Sequence, residues 1–109
     1  MTPEGRVKKI VTDGLKAIRD RHPDKITWRM PVLRGMGKPL LDYVICVAGQ
    51  FVMIETKRDA KHLITAQQKE IVREFESAGG LVFIVYDKAT ADDALACVEV
   101  LVRYDKGIL

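Results

Sequence analysis

Residues 42 to 57, Asp-Tyr-Val-Ile-Cys-Val-Ala-Gly-Gln-Phe-Val-Met-Ile-Glu-Thr-Lys, limit what this chain can fold into more than any other stretch. They read as two apolar strands joined by a tight turn around Ala48-Gly49, with a carboxylate at each outer end. A two-residue turn at Ala48-Gly49, or a four-residue turn from Val47 to Gln50, sets Val47 opposite Gln50, Cys46 opposite Phe51 and Asp42 opposite Glu55. Both acids then project from one face, with Cβ atoms about 5 Å apart. Like charges that close repel unless something positive lies between them, and a divalent cation would serve. Strand alternation puts Lys57 on the same face as Glu55, so Asp42, Glu55 and Lys57 converge. A three-residue turn from Ala48 to Gln50 would instead set Asp42 against Thr56 and part the acids. An edge hairpin with merely solvated terminal charges fits the spacing equally well. The composition of the hairpin favours convergence, because both its faces are apolar: Val44, Cys46, Phe51 and Met53 on one, Leu41, Tyr43, Ile45, Val52 and Ile54 on the other. Such strands belong inside a sheet covered on both sides, where stray acids are rare.

At 109 residues, 48% hydrophobic and 30% charged, the chain is expected to form one domain, residues 1–109, with a single modest core. A net charge of +3 permits contact with a polyanion without demanding it. Cys46 falls in a strand and Cys97 in a helix, each where a small buried apolar residue fits, which argues against a structural disulfide or a cysteine-ligated zinc. No apolar run approaches the roughly 18 residues of a membrane span, and Met-Thr-Pro-Glu-Gly-Arg lacks the hydrophobic segment expected of a signal peptide. The expected setting is a reducing cytoplasm.

Thr2-Pro3 opens a helix whose stripe is Val7, Ile10, Val11, Gly14, Leu15 and Ile18, ending near Arg21 before His22-Pro23. Ile26 to Met30 is a short strand, and Pro31 to Pro39, with Gly35 and Gly37, a flexible loop. After the hairpin, Thr65-Ala66-Gln67-Gln68 has the capping-box pattern before a helix bearing Ile71, Val72 and Phe75 and closed by Gly79-Gly80. Leu81 to Tyr86 reads as a buried strand. Thr90 is expected to cap a last helix, with Asp92 and Asp93 in its first turn and Leu95, Val98, Leu101 and Val102 inward. The order helix, three strands, helix, strand, helix describes an α/β fold, a mixed central sheet flanked by helices, with a right-handed parallel crossover through the 65–79 helix. Two polar residues fall on inward faces. Glu4 precedes Val7 by three positions, although an acid at a solvated helix start explains it too. Gln68 precedes Ile71 by three, although the capping box alone accounts for it.

Gly37-Lys38-Pro39-Leu40-Leu41-Asp42, Glu55-Thr56-Lys57 and Leu63-Ile64-Thr65-Ala66-Gln67-Gln68 together resemble the VRR-NUC branch of the PD-(D/E)XK nuclease superfamily, in particular its short stand-alone phage and bacterial members. The resemblance runs from Glu4 to about Tyr86: a first helix with a glutamate, a glycine-rich loop leading to an aspartate, a strand ending Glu-x-Lys, and a helix opening Thr-x-x-Gln. The family's adjacent Pro-Asp pair is split here, Pro39 standing three residues before Asp42. The resemblance implies a restriction-endonuclease-like core in which Asp42 and Glu55 hold metal, Lys57 is the catalytic lysine, and Glu4 and Gln68 complete the site. It implies a phage-infected or bacterial cytoplasm, a homodimer, and branched DNA such as four-way Holliday junctions or flaps, cut to leave a 5′-phosphate.

Hydrolysis of a phosphodiester at such a site would use Mg²⁺, with Mn²⁺ as a substitute, bound by Asp42, Glu55, the Thr56 carbonyl and Glu4. Lys57 would either orient the attacking water or offset developing negative charge. Basic residues border the acids on three segments: Arg34 and Lys38 before Asp42, Arg58 and Lys61 after Lys57, and Lys8 and Lys9 near Glu4. They are candidates for guiding a phosphate backbone, and any one of them alone reads equally as a solvated surface charge. Trp28 is the only tryptophan and is expected beside the sheet, so backbone or shape recognition is favoured over reading of bases. His22 and His62, each isolated, are expected at the surface. The alternative to a metal-dependent endonuclease is a nuclease-fold module that binds DNA without cutting it; a third possibility is a structural protein with surface acids.

Overall fold

The computed structural model describes residues 1–32 and 37–103. Helix α1 spans Pro3–Arg21. It starts where expected, because the Thr2 side chain accepts a hydrogen bond from the Gly5 N–H at 3.0 Å and Pro3 in the first turn has no donor to leave unmet. Val7, Val11, Leu15 and Ile18, spaced by four and three, are buried along one stripe.

Strand β1 is Ile26–Arg29, one residue shorter than expected. Strands β2 (Tyr43–Val47) and β3 (Gln50–Thr56) form the hairpin, with Val47 opposite Gln50, Cys46 opposite Phe51 and Tyr43 opposite Ile54. Ala48 and Gly49 make the two-residue turn, with φ of 49° and 83°. Two successive positive φ values match the right-handed twist of the strands, and glycine carries the second without strain. Helix α2 is Ala66–Ser77, strand β4 Leu81–Val85 and helix α3 Lys88–Arg103. The strand order is β1-β2-β3-β4, with β4 parallel to β3 and the other pairs antiparallel.

Helices α1 and α3 share one face of the sheet. Their buried residues pack with Ile26, Tyr43, Ile45, Val47, Val52, Ile54 and Val85 in the main core. Helix α2 covers the other face, where Ile71 meets Leu41 and Met53, flanked by Val44, Phe51 and Phe75. One helix hides only part of that face. Cys46, expected to be buried, is therefore exposed, across from the equally exposed Thr27 of β1. Cys97 is half-buried, and both thiols are free. Leu81 to Ile84 are half-buried rather than buried, because β4 is an edge strand; only Val85 is fully covered. Trp28 packs against the core as expected, with the Arg19 guanidinium 5.1 Å from its ring centre.

The start of α3 differs from the sequence reading. Asp87, not Thr90, occupies the capping position: its Oδ1 accepts from the Thr90 N–H at 2.8 Å, while the Thr90 hydroxyl accepts from the Asp87 N–H at 3.1 Å. Either residue type is a good cap, and reciprocal bonding makes the earlier one the boundary. At the far end of α1, Arg21 and His22 both bond to Glu99 of α3. Among the described residues no helix is long and apolar enough to cross a membrane.

The close approach of α1 to α3 depends on Gly14, where a Cβ would lie 2.3 Å from Leu95 Cδ1. Gly14→Ala should lower stability by about 1 kcal/mol in a chemical denaturation series, because overpacking outweighs the helix-propensity gain of alanine. Combining it with Leu95→Ala should turn the propensity gain into part compensation, so that the pair costs less than the sum of the two single changes.

Candidate active site

The hairpin register carries one residue beyond the strand and brings Asp42 level with Glu55. Asp42 already lies outside β2, however, and its side chain leaves the pleat. Its Oδ2 accepts the Thr56 N–H at 2.9 Å and the Thr56 hydroxyl at 2.6 Å. In return the Asp42 N–H donates to Glu55 Oε1 at 3.1 Å. The two acids therefore meet at the end of the sheet, where the faces covered by α1 and by α2 come together. Glu55 is only 4% exposed and Thr56 1%.

Helix α2 supplies the other half. Thr65 and Gln68 form the capping box, the Gln68 N–H donating to Thr65 Oγ1 and the Thr65 N–H donating to Gln68 Oε1. The same Gln68 side chain reaches into the site. Its amide nitrogen donates to Glu55 Oε2 at 2.8 Å, and its oxygen accepts from Lys57 Nζ at 2.9 Å. Lys57 Nζ also lies 3.5 Å from Glu55 Oε2. Asp42, Glu55, Lys57 and Gln68 are thus brought together as the sequence suggested, and Gln68 both completes the capping box and bonds Glu55 and Lys57.

Glu4 and Lys8 reach the site from α1. Lys8 Nζ is 3.3 Å from Glu4 Oε2 and 3.9 Å from Asp42 Oδ1. The sequence placed Lys8 among residues that guide DNA from outside, whereas here it stands against the central aspartate. Glu4 is linked to the acid pair through it. Among the described residues no three acidic, histidine or cysteine side chains form a group able to hold a metal. Lys9, one position further round α1, pairs with Asp13 on the exposed face instead. Arg58 and Lys61 are exposed on the segment between β3 and α2, where Asp59 lies 3.8 Å from the Arg58 guanidinium and accepts the Lys61 N–H. Lys38 is exposed and borders an apolar groove of about 550 Å³ formed with Leu40, Ile71 and Phe75. Arg34 and Gly35 lie outside the described residues. His62 is exposed and bonds Asp59, while half-buried His22 bonds Glu99.

Two contributions escaped the sequence reading. Thr56 was considered for its carbonyl, yet its N–H and hydroxyl are what orient Asp42. Tyr43, fully buried, donates its hydroxyl to the Lys8 carbonyl at 2.9 Å and shares a 2.7 Å hydrogen bond with Thr12. It pins the α1 turn that carries Lys8 beside the start of β2. A tyrosine next to the acid was a usable signal, since a buried phenol needs a partner.

The charges perturb one another in a readable way. Burial pushes the Glu55 carboxyl above the usual glutamate value and the neighbouring Asp42 charge adds to this, against partial relief from Lys57. Burial works to lower the Lys8 ammonium, but Asp42 and Glu4 outweigh it and hold it above the ordinary lysine value. Burial also raises the Tyr43 phenol. In ligand type, carboxylates and a backbone carbonyl are hard oxygen donors, the kind suited to Mg²⁺ or Mn²⁺.

A solved structure of a VRR_NUC domain matches this architecture with a TM-score of 0.73, covering 88% of this chain and 97% of that one at 22% sequence identity. The chain has the fold of a VRR_NUC domain. The four-strand mixed sheet flanked by helices accordingly fits a restriction-endonuclease-like fold. No protein-family model matches the sequence, and no curated protein matches it.

The raised Glu55 value has a stability consequence. The folded state binds this proton more tightly than the unfolded chain, so Glu55 adds stability below its unfolded value near 4.5 and loses it as pH rises through the raised folded value. In metal-free protein, thermal melting should show this loss in wild type and not in Glu55→Gln. Identical pH profiles for the two would contradict the raised Glu55 carboxyl.

Proposed function

We propose that this chain is a metal-dependent DNA endonuclease. The observation that carries the reading is the joined set at the sheet end: Asp42 oriented by Thr56, Glu55 bridged to Lys57, and Gln68 bonded to both Glu55 and Lys57. The VRR_NUC fold supports it. Mg²⁺, or Mn²⁺ in its place, held by Asp42, Glu55 and the Thr56 carbonyl would supply positive charge to a scissile phosphate and lower the pKa of an attacking water. Thr56 fixes Asp42 so that only one carboxylate oxygen faces outward. Gln68 holds the Lys57 ammonium in place, and Lys57 offsets charge that develops on the phosphate or orients the water. A DNA-binding module that does not cut would have no use for a lysine held against a buried glutamate by a glutamine that bonds both, so the complete set favours catalysis.

Lys38, Arg58 and Lys61, with Arg34, would contact the phosphate backbone, since they are basic residues on segments flanking the acids. Selectivity for branched DNA, junctions or flaps, cut by a homodimer in a bacterial or phage-infected cytoplasm, follows from the resemblance of the sequence motifs. A cleavage panel of single-stranded, duplex, flap and four-way DNA with Mg²⁺, Mn²⁺ or EDTA tests the substrate and the metal together. Cleavage that persists in EDTA would sink the metal-dependent reading.

Asp42→Asn should abolish cleavage while stability in metal-free protein holds or rises, because one of two neighbouring negative charges is removed. Wild-type cutting by that variant would remove Asp42 from the site. Lys57→Met should lower the single-turnover rate at saturating DNA by about a hundredfold with little change in affinity, because its charge acts on the transition state. Lys38→Ala with Lys61→Ala should do the reverse, weakening binding and reducing the slope of log K against log salt by about one unit for each phosphate no longer neutralised. An unchanged slope would place the DNA on another surface.

A further inference from the structure

The oxygens of the acid pair are unequally engaged. Glu55 Oε1 accepts the Asp42 N–H, Glu55 Oε2 accepts from Gln68 and lies near Lys57, and Asp42 Oδ2 takes both bonds from Thr56. Asp42 Oδ1 accepts no hydrogen bond among the described residues, and the cation beside it is Lys8, at 3.9 Å. That separation is too long for a hydrogen bond, so the ammonium neutralises Asp42 without being bonded to it. On its other side the same ammonium meets Glu4 at 3.3 Å. The backbone of Lys8 is anchored by the Tyr43 hydroxyl, leaving the long side chain as the part free to move.

We propose that Lys8 is a tethered counter-ion that occupies, in metal-free protein, the place beside Asp42 Oδ1 and Glu4 where a divalent cation binds, and that it thereby sets the metal concentration at which the site loads. This rests on the reading of Asp42 and Glu55 as metal ligands. Two cations cannot share one carboxylate oxygen at close range without strong repulsion, so loading displaces the ammonium from Asp42. Displacement also unpairs Glu4. Glu4 becomes a ligand only when Lys8 has left, because the ammonium that faces Asp42 is the one paired with Glu4. The arrangement keeps the acid pair compatible with folding before metal arrives and makes Glu4 the contributor that responds to loading.

Mn²⁺ titration by calorimetry, without DNA, tests this on wild type, Lys8→Met, Lys8→Arg, Glu4→Gln and the double variant Lys8→Met with Glu4→Gln. Lys8→Met keeps the length of the side chain and removes its charge, and should tighten Mn²⁺ binding about tenfold, equal to about 1.4 kcal/mol. Lys8→Arg should bind as wild type does. Glu4→Gln should weaken Mn²⁺ binding more in the Lys8→Met background than alone, because only there is Glu4 unpaired beforehand. Lys8→Gln repeats the neutral substitution should the methionine variant fold poorly. Equal or weaker Mn²⁺ binding in both neutral variants, with Asp42→Asn still abolishing it, overturns the counter-ion role and leaves the metal-site reading standing. Mn²⁺ binding that is absent from wild type and neutral variants alike, or undiminished by Asp42→Asn, overturns that reading and this inference with it.

Discussion

Removing a carboxylate from water costs several kcal/mol even after relaxation, unless each of its oxygens finds a donor. At Glu55 both do. Oε1 takes the N–H of Asp42 and Oε2 the amide of Gln68, with Lys57 close by. Those donors come from the residue just before β2, the first turn of α2 and the residue just past β3. Keeping Glu55 buried therefore requires the hairpin register, the crossover to α2 and the cap of α2 to be correct together. An error in any one would leave a charge buried without partners, a larger penalty than most packing defects.

The same requirement explains why the site stands at the end of the sheet. Within β3, Ile54 and Thr56 face the α1 and α3 side while Met53 and Glu55 face α2. Inside the sheet a residue can serve one face only. Asp42, one step outside β2, is free of that alternation. It offers its N–H to Glu55 on one face and its carboxylate to Thr56, whose side chain belongs to the other. Lys8 from α1 and Gln68 from α2 can then approach a common centre from opposite sides of the sheet.

Much of this was legible in the sequence because it depends on local periodicity. The Ala48-Gly49 turn fixes parity, and parity alone makes Asp42 and Glu55 neighbours. Thr2 and the Thr65-x-x-Gln68 box mark helix starts by short-range bonding, which needs no tertiary information. What escaped was set by distant partners. Lys8 pairs with Asp42, far along the chain, because Tyr43 docks α1 against β2, and no pattern along α1 encodes that contact. Cys46 looked buried because its strand is apolar on both faces. Its exposure follows from α2 being a single helix laid over only part of a face, a property of layer coverage that strand composition does not carry.

Gln68 ties helix initiation to the acid and lysine of the candidate site most directly. A capping box is normally worth about 1 kcal/mol and concerns only its helix. Here its glutamine oxygen is shared between the Thr65 N–H and the Lys57 ammonium, while its nitrogen is committed to Glu55. The direction of that nitrogen is forced: with the oxygen accepting from two donors, the amide can only donate toward the acid. Helix initiation thus fixes which way the amide points, the amide orients the lysine and the glutamate, and the rigidity of α2 is passed to the site. Glutamate at this position could cap the helix equally well. It would also set a carboxylate against Glu55 in the same buried space, so the site, not the helix, requires the amide.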